Sequence, residues 1–352
     1  DLRSMDNDNI PYDAIVVISF GGPEGMDDVI PFLENVLRGK NVPRERMLEV
    51  AEHYRHFGGK SPINDQNRAL IDALRAELDS VGIDLPIYWG NRNWHPLITD
   101  CVEQMKADGK RRGIAFFTSM FSCYSGCRQY RENIIDAREE VGDHAPLMDK
   151  LRKGYNHPRF IKAQADLTRQ SMQSIAAENR NDAKLLFTAH SIPLSMSDNS
   201  HYVRQLTEAS RLVAEELGHE NWELVYQSRS GPPQQPWLEP DVCDRIEALV
   251  DEGVKEVVIV PIGFVSDHME VLFDLDTEAK EACVEHGVGF TRVPSVGTHP
   301  EFITMIRELL QERLGLTSEK ASIGQYGPNH DVCPVDCCLY PRPSRPAAGR
   351  PT

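Results

Sequence analysis

Short apolar runs, each followed by helical periodicity, occur in one order in the first half of this chain and again in the second. The first set lies at residues 14–22, 85–90 and 113–119, the second at 184–191, 222–227 and 257–264. Apolar runs of this length read as strands buried on both faces of a parallel sheet, and the helical stretches between them supply the crossovers. Each half then closes on matching words, His157-Pro158-Arg159-Phe160-Ile161 and His299-Pro300-Glu301-Phe302-Ile303, with Pro in the first turn of a predicted helix. Three strand pairs in order and a shared pentapeptide pattern point to an internal duplication. The expected fold is α/β: two similar doubly wound parallel-sheet, Rossmann-like lobes related by that duplication, with a cleft between them. The 352 residues divide into an N-terminal tail (1–10), a first lobe (11–160), a second lobe (161–318) and a cysteine-containing C-terminal tail (319–352).

Such folds place chemistry at the carboxyl ends of their strands. Candidate site segments are therefore 19–23, 91–94, 123–128, 190–191, 227–232 and 266–270. Gly21-Gly22-Pro23-Glu24-Gly25 lacks both dinucleotide and phosphate-loop spacings, which argues against a nucleotide. His190 ends the run Lys184-Leu185-Leu186-Phe187-Thr188-Ala189, a strand with no packing need for an imidazole, and Pro193 fixes the loop that follows. The corresponding motif of the last strand ends Ser266-Asp267-His268-Met269-Glu270. From Asp267 onward the pattern predicts a helix whose Glu270, Asp274 and Glu278 share one face, with Asp276 off that line. An imidazole and a carboxylate across a cleft suit a divalent metal in passage, or a proton acceptor with a charged partner.

A formal charge of −16 argues against a nucleic-acid surface; it suits a cationic ligand such as a divalent metal and serves solubility equally well. No apolar stretch approaches a membrane span and no secretion signal is evident, so a cytoplasmic, monomeric protein is expected. Of the eight cysteines, Cys101, Cys243 and Cys283 read as packing residues. Cys333-Pro334-Val335-Asp336-Cys337-Cys338 places three thiols in a non-periodic tail that ends in a Pro/Arg stretch expected to be disordered. In a reducing compartment such a cluster points to metal more than to a disulfide, and the spacing lacks a zinc knuckle.

Residues 187–193, Tyr226-Gln-Ser-Arg-Ser-Gly-Pro232 and 261–270, with 19–23 and Gly58-Gly59-Lys60-Ser61-Pro62, together resemble the ferrochelatase family over about 12–316. Within it the chain looks most like the actinobacterial type that acts on coproporphyrin III. The resemblance implies insertion of ferrous iron into coproporphyrin III to form coproheme, with His190 and Glu270 handling metal and protons. It also implies that Phe20, Arg38, Tyr54 and Ser61 lie around the porphyrin, with Arg128 or Arg229 adding charge. Many bacterial relatives carry Tyr where this chain has Phe20, and a phenyl ring cannot ligate iron. The tail resembles those that hold a [2Fe–2S] cluster, here on Cys333, Cys337, Cys338 and a fourth thiol, Cys127 or else Cys123. Other readings are a chelatase for protoporphyrin IX, a chelatase placing cobalt in a sirohydrochlorin-like ring, and a non-catalytic tetrapyrrole carrier.

Overall fold

The computed structural model describes residues 9–341; residues 1–8 of the expected N-terminal tail and 342–352 of the Pro/Arg stretch lie outside them. Among the described residues, eight strands form two four-stranded parallel sheets. The first contains β1 (Ala14–Ser19), β2 (Ile87–Asn91), β3 (Arg112–Phe117) and β4 (Leu147–Lys150), in the order β2-β1-β3-β4. The second contains β5 (Lys184–His190), β6 (Trp222–Gln227), β7 (Glu256–Val260) and β8 (Gly289–Arg292), in the order β6-β5-β7-β8. The two orders are one permutation repeated, as the duplicated pattern predicts. Strands β4 and β8 escape a search for apolar runs because each is a four-residue edge strand ending in a cation, Lys150 or Arg292.

The matching histidine-proline words open the helices Pro158–Met172 and Pro300–Arg313. In each, the histidine Nδ1 accepts the backbone N–H two residues on, at 3.1 Å. These two helices pack together, with Arg159 paired to Glu301 and Glu308 at 2.8 and 2.7 Å. The expected boundary at residue 160 thus falls inside a helix, because the chain passes between the lobes as a continuous helical segment. Pro300–Arg313 also packs on the first-half helix Ile63–Ser80, where Arg307 meets Glu77 at 2.7 Å. One continuous core joins Ile15, Val17 and Phe116 of the first sheet to Phe187, Val258 and Phe302 of the second half. A separate cluster of Val29, Phe32, Leu33, Met47 and Ala51 holds the helices Met26–Leu37 and Arg44–His56 together.

Candidate active site

β5 carries His190 to the sheet's carboxyl edge, where its Nε2 lies 3.7 Å from Glu270 Oε2, both side chains partly exposed. The His190 Nδ1 faces the Ser191 carbonyl at hydrogen-bond distance, and a carbonyl only accepts, so Nδ1 carries the proton. With Nδ1 engaged by that carbonyl, Nε2 is the ring nitrogen turned toward Glu270. Tyr202 donates to the His190 carbonyl at 2.9 Å, and Ser191 N–H donates to the Gln227 carbonyl at 2.7 Å, which fixes the strand end.

The segment after β7 departs from the expected plain α-helix. His268 is the N-cap, its Nδ1 accepting from Glu270 N–H at 3.2 Å; Met269–Val271 is α-helical and Leu272–Ala279 is a π-helix. Asp274 is largely buried on it, bonded to the Ser228 hydroxyl, and its carboxyl is pushed up to about 7 by burial, a rise that the nearby Glu270 and Glu278 charges reinforce and Ser228 opposes. Glu278 is raised in the same direction by desolvation and by Asp241. Asp276, off that line, pairs with Arg292 at 2.7 Å. Sequence spacing places the carboxylates but gives no sign of the wider helix, because its residues have no distinctive period.

The opposite wall comes from the first half. Phe20 follows β1 and contacts Phe32 edge-on at 6.2 Å, and Phe32 contacts Tyr54 at 5.8 Å. The Arg92 guanidinium lies 4.9 Å from both the Phe20 and Tyr130 rings. The Tyr54 hydroxyl is held well above its ordinary value by burial and by the Glu270 charge, which brings the two walls together electrostatically. His53 stacks on Phe273 of the π-helix at 4.0 Å, and Gln66 exchanges two hydrogen bonds with the Asp267 backbone at 3.2 and 2.7 Å. Arg38 is exposed, and its guanidinium has no hydrogen bond or ion pair among the described residues. Lys40, which sequence reasoning missed, has its ammonium lowered by partial desolvation and Arg92, against the pull of Glu270. Ser61 is buried under the first strand-end loop, where its Cβ would lie 2.8 Å from a Cβ placed on Gly22. Arg229 organises its own loop through the Gln235 carbonyl at 2.8 Å.

Arg128 is committed away from the expected carboxylate role: it donates to the tail carbonyls of Val335 and Cys337, at 2.8 and 3.0 Å, and pairs with Glu132 at 3.0 Å. This brings the tail thiols onto the turn Tyr124–Arg128. Cys333 contacts both Cys127 and Cys337, and Cys337 lies 3.6 Å from Cys338. His330 joins them unannounced, its ligand atom within 4.8 Å of those of Cys333 and Cys337. Cys123 Sγ instead accepts Gly126 N–H at 3.3 Å. Cys333 and burial raise the Cys127 thiol, while Cys127 and Cys337 lower that of Cys333.

Known proteins show the same arrangement of chain. The solved structure of SirB from Bacillus subtilis with Fe3+ superposes with a TM-score of 0.54 over 86% of this chain and 98% of that one, at 12% identity, a likeness of fold alone. A curated relative from Rhodopirellula baltica, named ferrochelatase, is 64% identical over 97% of each chain. Relatives from Streptomyces coelicolor and Streptomyces griseus, named coproporphyrin III ferrochelatase, are 49% identical over 97% of each chain and over 99% and 98% respectively. With the ferrochelatase family model matching residues 12–314 around the histidine–glutamate cleft, the chain belongs to the ferrochelatase family of metal chelatases.

Proposed function

We propose that this chelatase inserts ferrous iron into coproporphyrin III, yielding coproheme for haem biosynthesis. The observation that carries the reading is the His190–Glu270 pair at 3.7 Å. Two pyrrole N–H protons must leave as the metal enters, and the His190 Nε2, the ring nitrogen turned toward Glu270, is placed to accept one. The imidazolium so formed is stabilised by the Glu270 carboxylate beside it. Asp274, titrating near neutrality, extends that acidic row along the π-helix and supplies oxygen ligands for a hard cation in passage. A carrier has no need of this relay, which disfavours the carrier reading.

Coproporphyrin III carries more propionates than protoporphyrin IX, and the first half offers Arg38 and Lys40, whose side chains have no hydrogen bond or ion pair among the described residues. Each well-made charge-assisted hydrogen bond contributes ~1.5–3 kcal/mol. The names of the Streptomyces relatives support the same choice. Anaerobic ferrous insertion assayed with both porphyrins tests it: a clearly higher kcat/KM with coproporphyrin III is expected, and equality or reversal overturns the substrate assignment.

We infer further that Cys127, Cys333, Cys337 and Cys338 hold a [2Fe–2S] cluster. Cys333 and Cys337 lie within 4.8 Å of one another, Cys337 lies 3.6 Å from Cys338 and Cys333 acts on Cys127, a gathering of four thiols that suits the Cys₄ requirement, and Cys123 is occupied as a cap. When bound, the group supplies a one-electron couple. The residues themselves fasten the tail: Arg128 holds its carbonyls, and Asn199 donates to the Leu339 carbonyl at 3.3 Å. Reduced thiols suit a reducing compartment such as the cytoplasm. Iron and sulfide analysis of anaerobically purified protein decides the matter, and iron-free, colourless protein would sink the cluster.

A further inference from the structure

Two buried lysines adjoin the tail thiols. Lys150 ends β4 and is 7% exposed, and among the described residues its Nζ has no hydrogen-bond partner. Lys153 is 3% exposed and donates to the carbonyls of Ser119 at 2.6 Å and of Gly126, next to Cys127, at 2.8 Å. The charges of both lysines act on Cys127, and that of Lys150 also acts on Cys333. No carboxylate among the described residues forms an ion pair with either lysine. An interior ammonium without a partner is costly unless an anion faces it. The neighbouring groups are sulfurs, and fully deprotonated they form such an anion.

We propose that the two buried lysines, Lys153 beside Cys127 and Lys150 with its free ammonium, are the counter-charge of the iron–sulfur group on Cys127, Cys333, Cys337 and Cys338 and favour its reduced form. The inference rests on the cluster reading above. A doubly positive core held by four thiolates is a dianion. One electron from an external reductant such as dithionite turns one ferric ion ferrous and makes a trianion, with no bond formed or broken. A cation shielded from water stabilises the trianion more than the dianion, so its presence raises the reduction potential.

The test is a redox titration of the full-length, anaerobically purified protein, followed by visible absorption and by electron paramagnetic resonance of the reduced state. Lys150→Met keeps the stem and removes the charge; it should retain iron and sulfide while its reduction equilibrium constant falls at least about tenfold, or about 59 mV for one electron. Lys150→Arg should stay within about threefold of the unaltered protein. If Lys150→Met does not assemble the cluster, retention by Lys150→Arg supports the counter-charge. An unmoved potential in Lys150→Met, or loss of the cluster from both variants, overturns it. Unaltered protein without iron and sulfide instead overturns the cluster reading itself, so the two failures are told apart.

Discussion

Replacing Asp274 by Asn is expected to stabilise the protein at neutral pH and to leave it unchanged in acid. In the folded protein the carboxyl rises from 3.8 to about 7, chiefly through burial. The unfolded chain keeps its ordinary value, ~3.9. Between about pH 4 and about pH 7 the unfolded chain sheds a proton that the folded protein retains, so this group's contribution to stability falls as pH rises and levels above the folded value. At ~1.36 kcal/mol per pH unit the full rise corresponds to about 4 kcal/mol, and partial solvent contact at the cleft reduces it to about 2 kcal/mol. Asn keeps the shape and a bond to Ser228 without the charge. Urea denaturation of both proteins at about pH 4.5, 6 and 7.5 reads the difference directly. The gap should open in favour of the variant across that range, by about 2 kcal/mol at the top. A gap that does not change with pH, or a less stable variant at pH about 7.5, would refute the reasoning that burial raises this carboxyl.

His190→Ala should cut iron insertion by ~10²-fold or more while porphyrin still binds by fluorescence titration, since a proton acceptor acts in the transition state; a tenth of normal turnover would exclude an essential base. Glu270→Gln should lower kcat ~10²-fold at unchanged shape, and a near-normal rate would return it to a solvated surface role. Arg38→Ala should raise the KM for coproporphyrin III ~10-fold or more with kcat little altered, and an unchanged KM would remove Arg38 from the rim contacts. Gly263→Ala would bring a Cβ within 2.6 Å of the Ala189 Cβ, one residue before His190, so a loss of ~1–3 kcal/mol by denaturant titration and a lower kcat are expected.

The duplicated fold is legible because β1, β3, β5 and β7 are central or near-central strands whose residues are almost all buried, and burial on both faces demands unbroken apolar runs. The edge strands β2 and β6 still show as apolar runs, whereas the four-residue edge strand Leu147-Met148-Asp149-Lys150 is too short and too polar to do so. His190 and Glu270 were readable as strand-end polar residues, and the structure brings them together. What stayed hidden depends on tertiary approach: Lys40 sensing Glu270, His268 capping its own helix, the rerouting of Arg128 to the tail, and the buried setting of Asp274. The three tail thiols could be grouped from their spacing. Their contact with Cys127 depends on the turn at Tyr124–Arg128 meeting a segment about 200 residues later in the chain.

A two-lobed protein with a central cleft invites comparison with a clamshell, but the shared core rules out that motion as a cheap one. Swinging the lobes apart would part Phe116 from Phe302 and drag apolar side chains of both halves into water. The pair Met26–Leu37 and Arg44–His56 is different, because its own small cluster travels with it and its tip meets the other half through the stack of His53 on Phe273. Opening at that rim would give up the His53–Phe273 stack and leave the shared core of the two halves intact, a far smaller loss of buried apolar contact than swinging the lobes.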